Sequence, residues 1–320
     1  MNIQTVGVVG LGFLGRGIAT CLLAHDLNVI AFDQNPATRH AARTHIAQAL
    51  AEMQQRGILA DSVLTQWPDR YIDAQSLSEL ATCDFVIESV IENLDVKQTL
   101  LKELEQFLSA SVPIGSNTSA IPITRLQLEC RSPERILGMH WAEPCHLTRF
   151  LELIRGEKTN AATLSAARDL GIQLGKEPAL VQKDVPGFIV NRLGYAMYRE
   201  AFWLLENGVA DVETIDRAFR NALSVWAEIA GPFRWMDLTG LPAYASVMEH
   251  LFPALSRATE VPRTMRALVE SGAQGITNGR GFYEYSEADK ADWERRLNEN
   301  VWRQIPGSVS TSPAGSVESP

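Results

Sequence analysis

One glycine run, set between a strand and a helix, constrains this chain more than any other feature. Gly10-Leu11-Gly12-Phe13-Leu14-Gly15 follows the apolar run Val6–Val9 directly and opens a helical pattern from Gly15 to His25. In that context GxGxxG is the fingerprint of a dinucleotide site. Gly10 makes the turn, Gly12 lets the backbone approach a pyrophosphate, and Gly15 permits close helix–strand packing. The N-terminus of that helix adds orphan N–H donors and a positive dipole end, and Phe13 and Leu14 just before it are expected cofactor contacts. Asp33 stands 18 positions after Gly15, at the end of the next apolar run, Asn28–Phe32. An acid there accepts hydrogen bonds from ribose hydroxyls and repels a 2′-phosphate, so NAD is favoured over NADP. Gln34 lies beside it, while Arg39 falls in the following helical pattern and is expected on a solvated face.

The first part of the chain alternates short apolar runs with helical patterns, which predicts βαβ units and a mostly parallel sheet. Strands are expected at Ile3–Val9, Asn28–Phe32, Phe85–Glu88, Val112–Gly115, Arg135–Met139 and Phe150–Ile154. Asn35-Pro36 offers an N-cap and a proline at the first helical position of a helix running to Arg56, where Gly57 terminates it. A further helix is expected from Asp95 to Ser109. After Val185-Pro186-Gly187 helical patterns dominate, with no strand expected before Gly281-Phe282-Tyr283. The fold class is therefore α/β: a doubly wound Rossmann-type domain over residues 1–184, then an all-α domain over 185–303. Residues 304–320 are Ser-, Pro- and Gly-rich and read as a disordered tail.

Composition excludes several classes. Of 320 residues 46% are apolar and 21% charged, and the net charge is −9, so a nucleic-acid partner is not expected. No apolar run is long enough to span a membrane and no secretion signal is visible. Cys21, Cys83, Cys130 and Cys145 show no metal-ligand spacing, so no metal is expected; free thiols point to a reducing compartment, the cytoplasm.

Among the six histidines, His140 alone follows a predicted strand at its carboxyl end, where open α/β sheets bind ligands. Glu152, twelve residues on, interrupts the apolar run Phe150–Ile154. A carboxylate there is costly unless paired, and a His–Glu pair both meets that need and fixes the imidazole tautomer.

Seven segments in one order resemble the 3-hydroxyacyl-CoA dehydrogenase family. They are Gly10–Ala19, Phe85–Lys97 (FVIESVIENLDVK), Ser116–Ser119 (SNTS), Gly138–Glu152 (GMHWAEPCHLTRFLE), Pro186–Arg192 (PGFIVNR), Gly231–Asp237 (GPFRWMD) and Gly279–Tyr283 (GRGFY). The resemblance implies that His140 is the catalytic base, that Glu152 orients it, and that Ser119 and Asn191 steady the substrate oxygen. It implies cofactor contacts at Asp33, Gln34, Glu92, Lys97, Asn117 and Ser119. It further implies an acyl-CoA substrate, a place in fatty acid metabolism, and a homodimer formed through the helical domain. The apolar face of Leu193–Leu205 is compatible with that dimer.

The chain departs from the family pattern where relatives read His-Phe-Phe-Asn-Pro and this sequence has His140-Trp141-Ala142-Glu143-Pro144. Glu143 replaces a cofactor-side asparagine. Trp141 and Trp226 are placed to narrow an acyl pocket, and Arg149 and Arg234 to clamp a carboxylate. Three readings stay open: a short-chain 3-hydroxyacyl-CoA substrate, a small polar hydroxy acid of the carnitine or gulonate type, and a non-catalytic NAD(H)-binding protein.

Overall fold

The computed structural model describes residues 2–305, which fall into two compact units. The first comprises residues up to Asn191 together with Leu297 onward, the second Arg192–Arg296. The first unit is built on eight strands: β1 (Thr5–Val9), β2 (Asn28–Phe32), β3 (Tyr71–Asp73), β4 (Phe85–Glu88), β5 (Ile114–Ser116), β6 (Ile136–Trp141), β7 (Phe150–Ile154) and β8 (Glu177–Val181). They form one sheet in the order β3-β2-β1-β4-β5-β6-β7-β8. All pairings are parallel except β6–β7. Chain order therefore reverses direction between β1 and β4, the switch point where such sheets open a crevice.

Helices cover both faces. α1 (Phe13–Ala24), α2 (Pro36–Gln55), α3 (Asp61–Arg70) and α6 (Ala161–Gln173) pack on one side; α4 (Leu94–Phe107) and α5 (Ile123–Gln127) pack on the other. Because side chains alternate along a strand, Val8, Ile87 and Met139 enter the first core and Val9, Val86 and Ile136 the second. That double burial explains the near-continuous apolar runs of β1, β4 and β6. The start of α2 follows the sequence expectation: the Asn35 side chain accepts from Ala37 N–H at 2.9 Å and Pro36 takes the first position. Gly57, at φ 78°, ends it.

Two strands have no sequence expectation behind them. β3 is three residues long, too short to show a period of two. β8 carries Pro178, tolerable only because the strand lies at the sheet edge. The expected strand at Gly281-Phe282-Tyr283 is reduced to isolated bridges, Gly275 to Arg280 and Arg280 to Glu284.

The second unit contains most of α7 (Val190–Glu206) and shorter helices at Val212–Ala218, Pro232–Thr239, Leu241–Leu251 and Arg263–Glu270. Only Ala230 and Ser256 are buried within it. No helix among the described residues is long and apolar enough to cross a membrane, and the four cysteines are free.

The C-terminal boundary differs from expectation. The last helix, Glu287–Arg303, ends inside the first unit's core, where Trp302 is 1% exposed. Its indole Nε1 donates to Glu52 Oε1 at 2.9 Å, and the Arg56 guanidinium lies 4.6 Å from its ring centroid. Arg56 also pairs with Glu299 at 3.2 Å. Ile305, expected in the tail, packs against the same core; the rest of the expected tail, 306–320, lies outside the described residues. A single buried residue in a charged helix of strongly polar composition gives no periodic signal. Trp302→Ala should cost about 3–5 kcal/mol by loss of buried area and the cavity left behind. Urea unfolding followed by circular dichroism should show the midpoint falling at an unchanged slope.

Candidate active site

The glycine run forms the floor of a cleft of about 1080 Å³ at the carboxyl ends of β1, β2, β4 and β5. Gly10 sits at φ 90°, and a Cβ there would lie 2.6 Å from the Ser89 carbonyl oxygen. A Cβ at Gly15 would strike the Gly10 carbonyl oxygen at 1.9 Å. Both positions admit glycine alone. Gly12 differs: a Cβ would meet no protein atom within 4 Å, because its face is open to the cleft. No side chain caps α1 and no acid lies in its first turn, so its N-terminal N–H groups and dipole are left for an anion. These residues fit a dinucleotide pyrophosphate.

Gly10, Gly12, Phe13, Leu14, Asp33, Gln34, Glu92, Asn117 and Ser119 all line the cleft. Asp33 is fixed by two backbone donors, Leu11 N–H at 2.9 Å and Asn35 N–H at 2.8 Å. The lining contains the carboxylates Asp33, Glu92, Asp95 and Glu103 and no lysine or arginine. Such a surface disfavours an additional phosphate at the ribose. Asn117 bridges the strand ends, donating to Ser89 Oγ and accepting from Trp141 N–H, each at 3.0 Å.

Beneath this surface lies a buried charge network. Lys97, expected to touch the cofactor, is fully enclosed: its Nζ meets Glu88 Oε1 at 2.7 Å, the Val90 carbonyl at 3.2 Å and Glu92 Oε2 at 3.5 Å. It supports the site rather than facing it, because α4 turns its side chain under the β4 end. Glu88, the last residue of β4, has no local pattern that marks it as part of the site, and it also accepts from Val90 N–H and Ser116 Oγ. Glu92 caps the loop after β5, accepting from Thr118 Oγ1 at 2.6 Å, Ser119 N–H at 2.9 Å and Ala120 N–H at 3.0 Å. Burial raises its pKa, but the Thr118 hydroxyl, Lys97 and the two N–H groups outweigh that and hold it below the ordinary carboxylate value.

At the carboxyl end of β6, next to β5 in the sheet, the antiparallel register sets His140 directly across from Glu152. His140 Nδ1 lies 2.9 Å from Glu152 Oε2. The second carboxylate oxygen accepts from Ile189 N–H at 3.0 Å and Val190 N–H at 2.9 Å, the first donors of α7. Burial pushes the Glu152 carboxyl up; the His140 hydrogen bond and the two amides more than offset it and leave the pKa lowered. An ionised Glu152 takes the proton on Nδ1 and leaves Nε2 as a base. The ring is held between Phe150, edge-on at 5.6 Å, and Phe188 at 5.8 Å. Phe188 is buried at φ 52°, a left-handed conformation unusual for an aromatic residue; it follows Gly187 in the turn that aims the Ile189 and Val190 amides. Asn191 Nδ2 donates to the Ser119 carbonyl at 2.8 Å, which brings these two expected site residues together.

Several specificity expectations need correction. Trp141 does not narrow a pocket: one residue after His140, it points to the opposite sheet face and is core, with Lys176 Nζ 5.2 Å from its ring centroid. Glu143 turns beneath α1, its Oε1 3.1 Å from where a Gly17 Cβ would stand, and takes no part in the cleft lining. Arg149 is committed to an exposed ion pair with Glu177 across the β7–β8 edge, so it is not a free clamp. In the second unit Trp226 stacks on Trp235 at 5.6 Å and 11°, and Arg234 is exposed on the helix Pro232–Thr239.

Lys97→Met would strand Glu88 as an uncompensated buried charge, a loss of about 3–5 kcal/mol. Chemical denaturation should report that loss, and Lys97→Met/Glu88→Leu should recover most of it.

Comparison with known proteins agrees with this geometry. The family model described as 3-hydroxyacyl-CoA dehydrogenase, NAD binding domain, matches residues 5–185, and the one described as its C-terminal domain matches 187–285. The chain is 34% identical over 302 residues to 5-formyl-3-hydroxy-2-methylpyridine 4-carboxylate 5-dehydrogenase of Mesorhizobium japonicum, covering 92% of this chain and 96% of the relative. It is 34% identical over 287 residues to 3-hydroxybutyryl-CoA dehydrogenase of Bradyrhizobium diazoefficiens, covering 89% and 97%. Among solved structures, a 5-formyl-3-hydroxy-2-methylpyridine 4-carboxylic acid 5-dehydrogenase, described as an NAD+-dependent dismutase, superimposes with a TM-score of 0.87 at 32% identity, over 94% of this chain and 96% of that one. The (S)-3-hydroxybutyryl-CoA dehydrogenase of Ralstonia eutropha gives 0.76 at 35% identity, over 89% and 100%. With its glycine cleft and both domain matches, this chain belongs to the 3-hydroxyacyl-CoA dehydrogenase family of NAD-dependent oxidoreductases.

Proposed function

We propose that the chain oxidises the 3-hydroxyl of a short 3-hydroxyacyl-CoA to the ketone, or runs the reverse. The observation that carries this reading is the His140–Glu152 pair, 2.9 Å apart, beside a cleft fitted to a dinucleotide. NAD, when bound, supplies the hydride acceptor. His140 Nε2 takes the hydroxyl proton as the carbon gives up its hydride, and returns it in the reverse direction. Glu152 keeps the imidazole in the tautomer that can do this and stabilises the imidazolium that forms. Ser119 and Asn191 hold the oxygen as it passes between alcohol and carbonyl. The reading places the protein in fatty acid metabolism and, from its free thiols, in the cytoplasm.

A second reading is favoured by a specific observation. The pyridine-carboxylate dehydrogenase fits this chain over more of its length and with a higher TM-score, 0.87 against 0.76. On that reading the substrate is a small carbonyl compound carrying its own carboxylate, with no CoA. The same base would take the proton of an aldehyde hydrate or return one to an alkoxide.

Initial rates of NADH oxidation separate the two. Turnover of acetoacetyl-CoA but not of acetoacetate or 5-formyl-3-hydroxy-2-methylpyridine 4-carboxylate supports the first reading, and turnover of the pyridine aldehyde alone overturns it. With whichever substrate is active, His140→Ala should abolish turnover and leave NADH fluorescence titrations nearly unchanged. Loss of both would remove His140 from the role of base. Glu152→Gln keeps the shape but presents an amide N–H to Nδ1, which puts the remaining imidazole proton on Nε2. A fall in kcat of about 10²–10⁴ is expected, with NADH binding retained.

The second unit supports a homodimer. Its exposed large apolar residues include Tyr195 at 70%, Ile229 and Phe233 at 79%, and Leu193 at 58%, too much apolar surface for a monomer. Sedimentation should give a mass near twice 35.3 kDa; a 35 kDa species would count against the dimer.

A further inference from the structure

Beside the expected adenosine end of the cleft, though not in its lining, lies an arginine whose helical position predicts a solvated face. Arg39 lies in α2, six residues after Asp33, and its side chain is only 11% exposed. Both terminal nitrogens donate hydrogen bonds, and Nε makes an ion-pair contact without hydrogen-bond geometry. One terminal nitrogen donates to the Asp33 carbonyl at 2.7 Å, Nε faces Asp73 Oδ1 at 2.9 Å, and the other terminal nitrogen donates to Gln75 Oε1 at 2.8 Å. The two side chains that meet it are themselves fixed. Asp73 ends β3 opposite Ala31 of β2, and Gln75 is tied by its own N–H to Glu79 and by its amide to the Asp73 carbonyl. The next cation along α2, Arg43, lies over the rings of Trp67 and Tyr71, 5.2 and 5.4 Å from their centroids.

An arginine near the ribose-binding acid is the group that accommodates a 2′-phosphate in NADP-dependent Rossmann enzymes. Here the arginine is present and spent. We propose that Asp73, assisted by Gln75, is a cofactor-specificity residue that withholds Arg39 from a 2′-phosphate, so that NAD is enforced by two carboxylates: Asp33 by repulsion and Asp73 by sequestration. Asp73 acts through Arg39 and is a positioning residue. The inference rests on Asp33 marking the ribose site.

The test uses adenosine fragments and needs no turnover. The full-length protein is titrated calorimetrically with 5′-AMP and with 2′,5′-ADP, which differ by the 2′-phosphate. Wild type should bind AMP and discriminate against 2′,5′-ADP. Asp33→Ser should relax that discrimination, and Asp33→Ser/Asp73→Asn should bind 2′,5′-ADP about tenfold tighter than Asp33→Ser, the scale of one charge-assisted hydrogen bond. AMP affinity should not differ between those two variants, and adding Arg39→Gln should erase the gain. Asp73→Asn alone, which keeps the ribose contact, should improve the 2′,5′-ADP to AMP ratio about threefold and serves if the double variant does not fold. A ratio unmoved by Asp73→Asn in either background, or a gain that survives Arg39→Gln, would overturn the proposal. Failure of wild type to bind AMP would instead sink the assignment of the ribose site, and the proposal with it.

Discussion

The carboxylate of Glu152 is the constraint around which the proposed catalytic end of this molecule is arranged. A charged group inside a strand core is tolerated only when its lone pairs are taken. Here one oxygen is taken by His140 and the other by the amides of Ile189 and Val190. Those three donors come from two places: β6, across an antiparallel register, and the successive residues Ile189 and Val190 that lead into α7. Satisfying one acid therefore fixes the imidazole, the turn through Gly187 and Phe188, and the point at which the chain leaves the sheet. Asn191, one residue further, then reaches the Ser119 carbonyl. The solution to a burial problem is also the geometry from which the proposed base is argued.

The cofactor end works without cations on its surface. Attraction for a pyrophosphate comes from backbone N–H groups and the dipole of α1, while the lining carries four carboxylates. Positive charge is present but kept below, in Lys97, or to one side, in Arg39, each paired with acids. That distribution suits a dinucleotide with one negatively charged linkage and opposes one with a further phosphate. The Glu88–Lys97 pair is fully buried, and its worth lies in the loop it fixes rather than in net stability. Through Val90 and Glu92 it braces both loops that border the cleft.

The two units differ in how they are held together. The first has two cores, one on each sheet face, closed at the last by Trp302 from the far end of the chain. The second is mainly helical yet buries almost nothing of its own. Amphipathic helices of that kind derive their stability from packing a face, and large apolar side chains such as Tyr195, Ile229 and Phe233 stay exposed here, which is the ground for the proposed dimer.

Much of this was legible in the residues. The glycine spacing with Asp33, the alternation of apolar runs and helices, and an acid interrupting the Phe150–Ile154 run are local patterns, and local patterns reflect local geometry: a period of two, a period of 3.6, a turn that only glycine can make. What the tertiary structure decided is which face each side chain meets. Trp141 and His140 are neighbours in sequence and lie on opposite sides of a sheet, so the motif that names one says nothing of the other's surroundings. Lys97 and Arg39 look like available cations until Glu88 and Asp73 are brought to them from other strands. Arg149 looks like a clamp until β8 supplies Glu177. Pairings made across a sheet or from the chain's far end leave no periodic trace, because their partners are set by strand order and not by spacing along the chain.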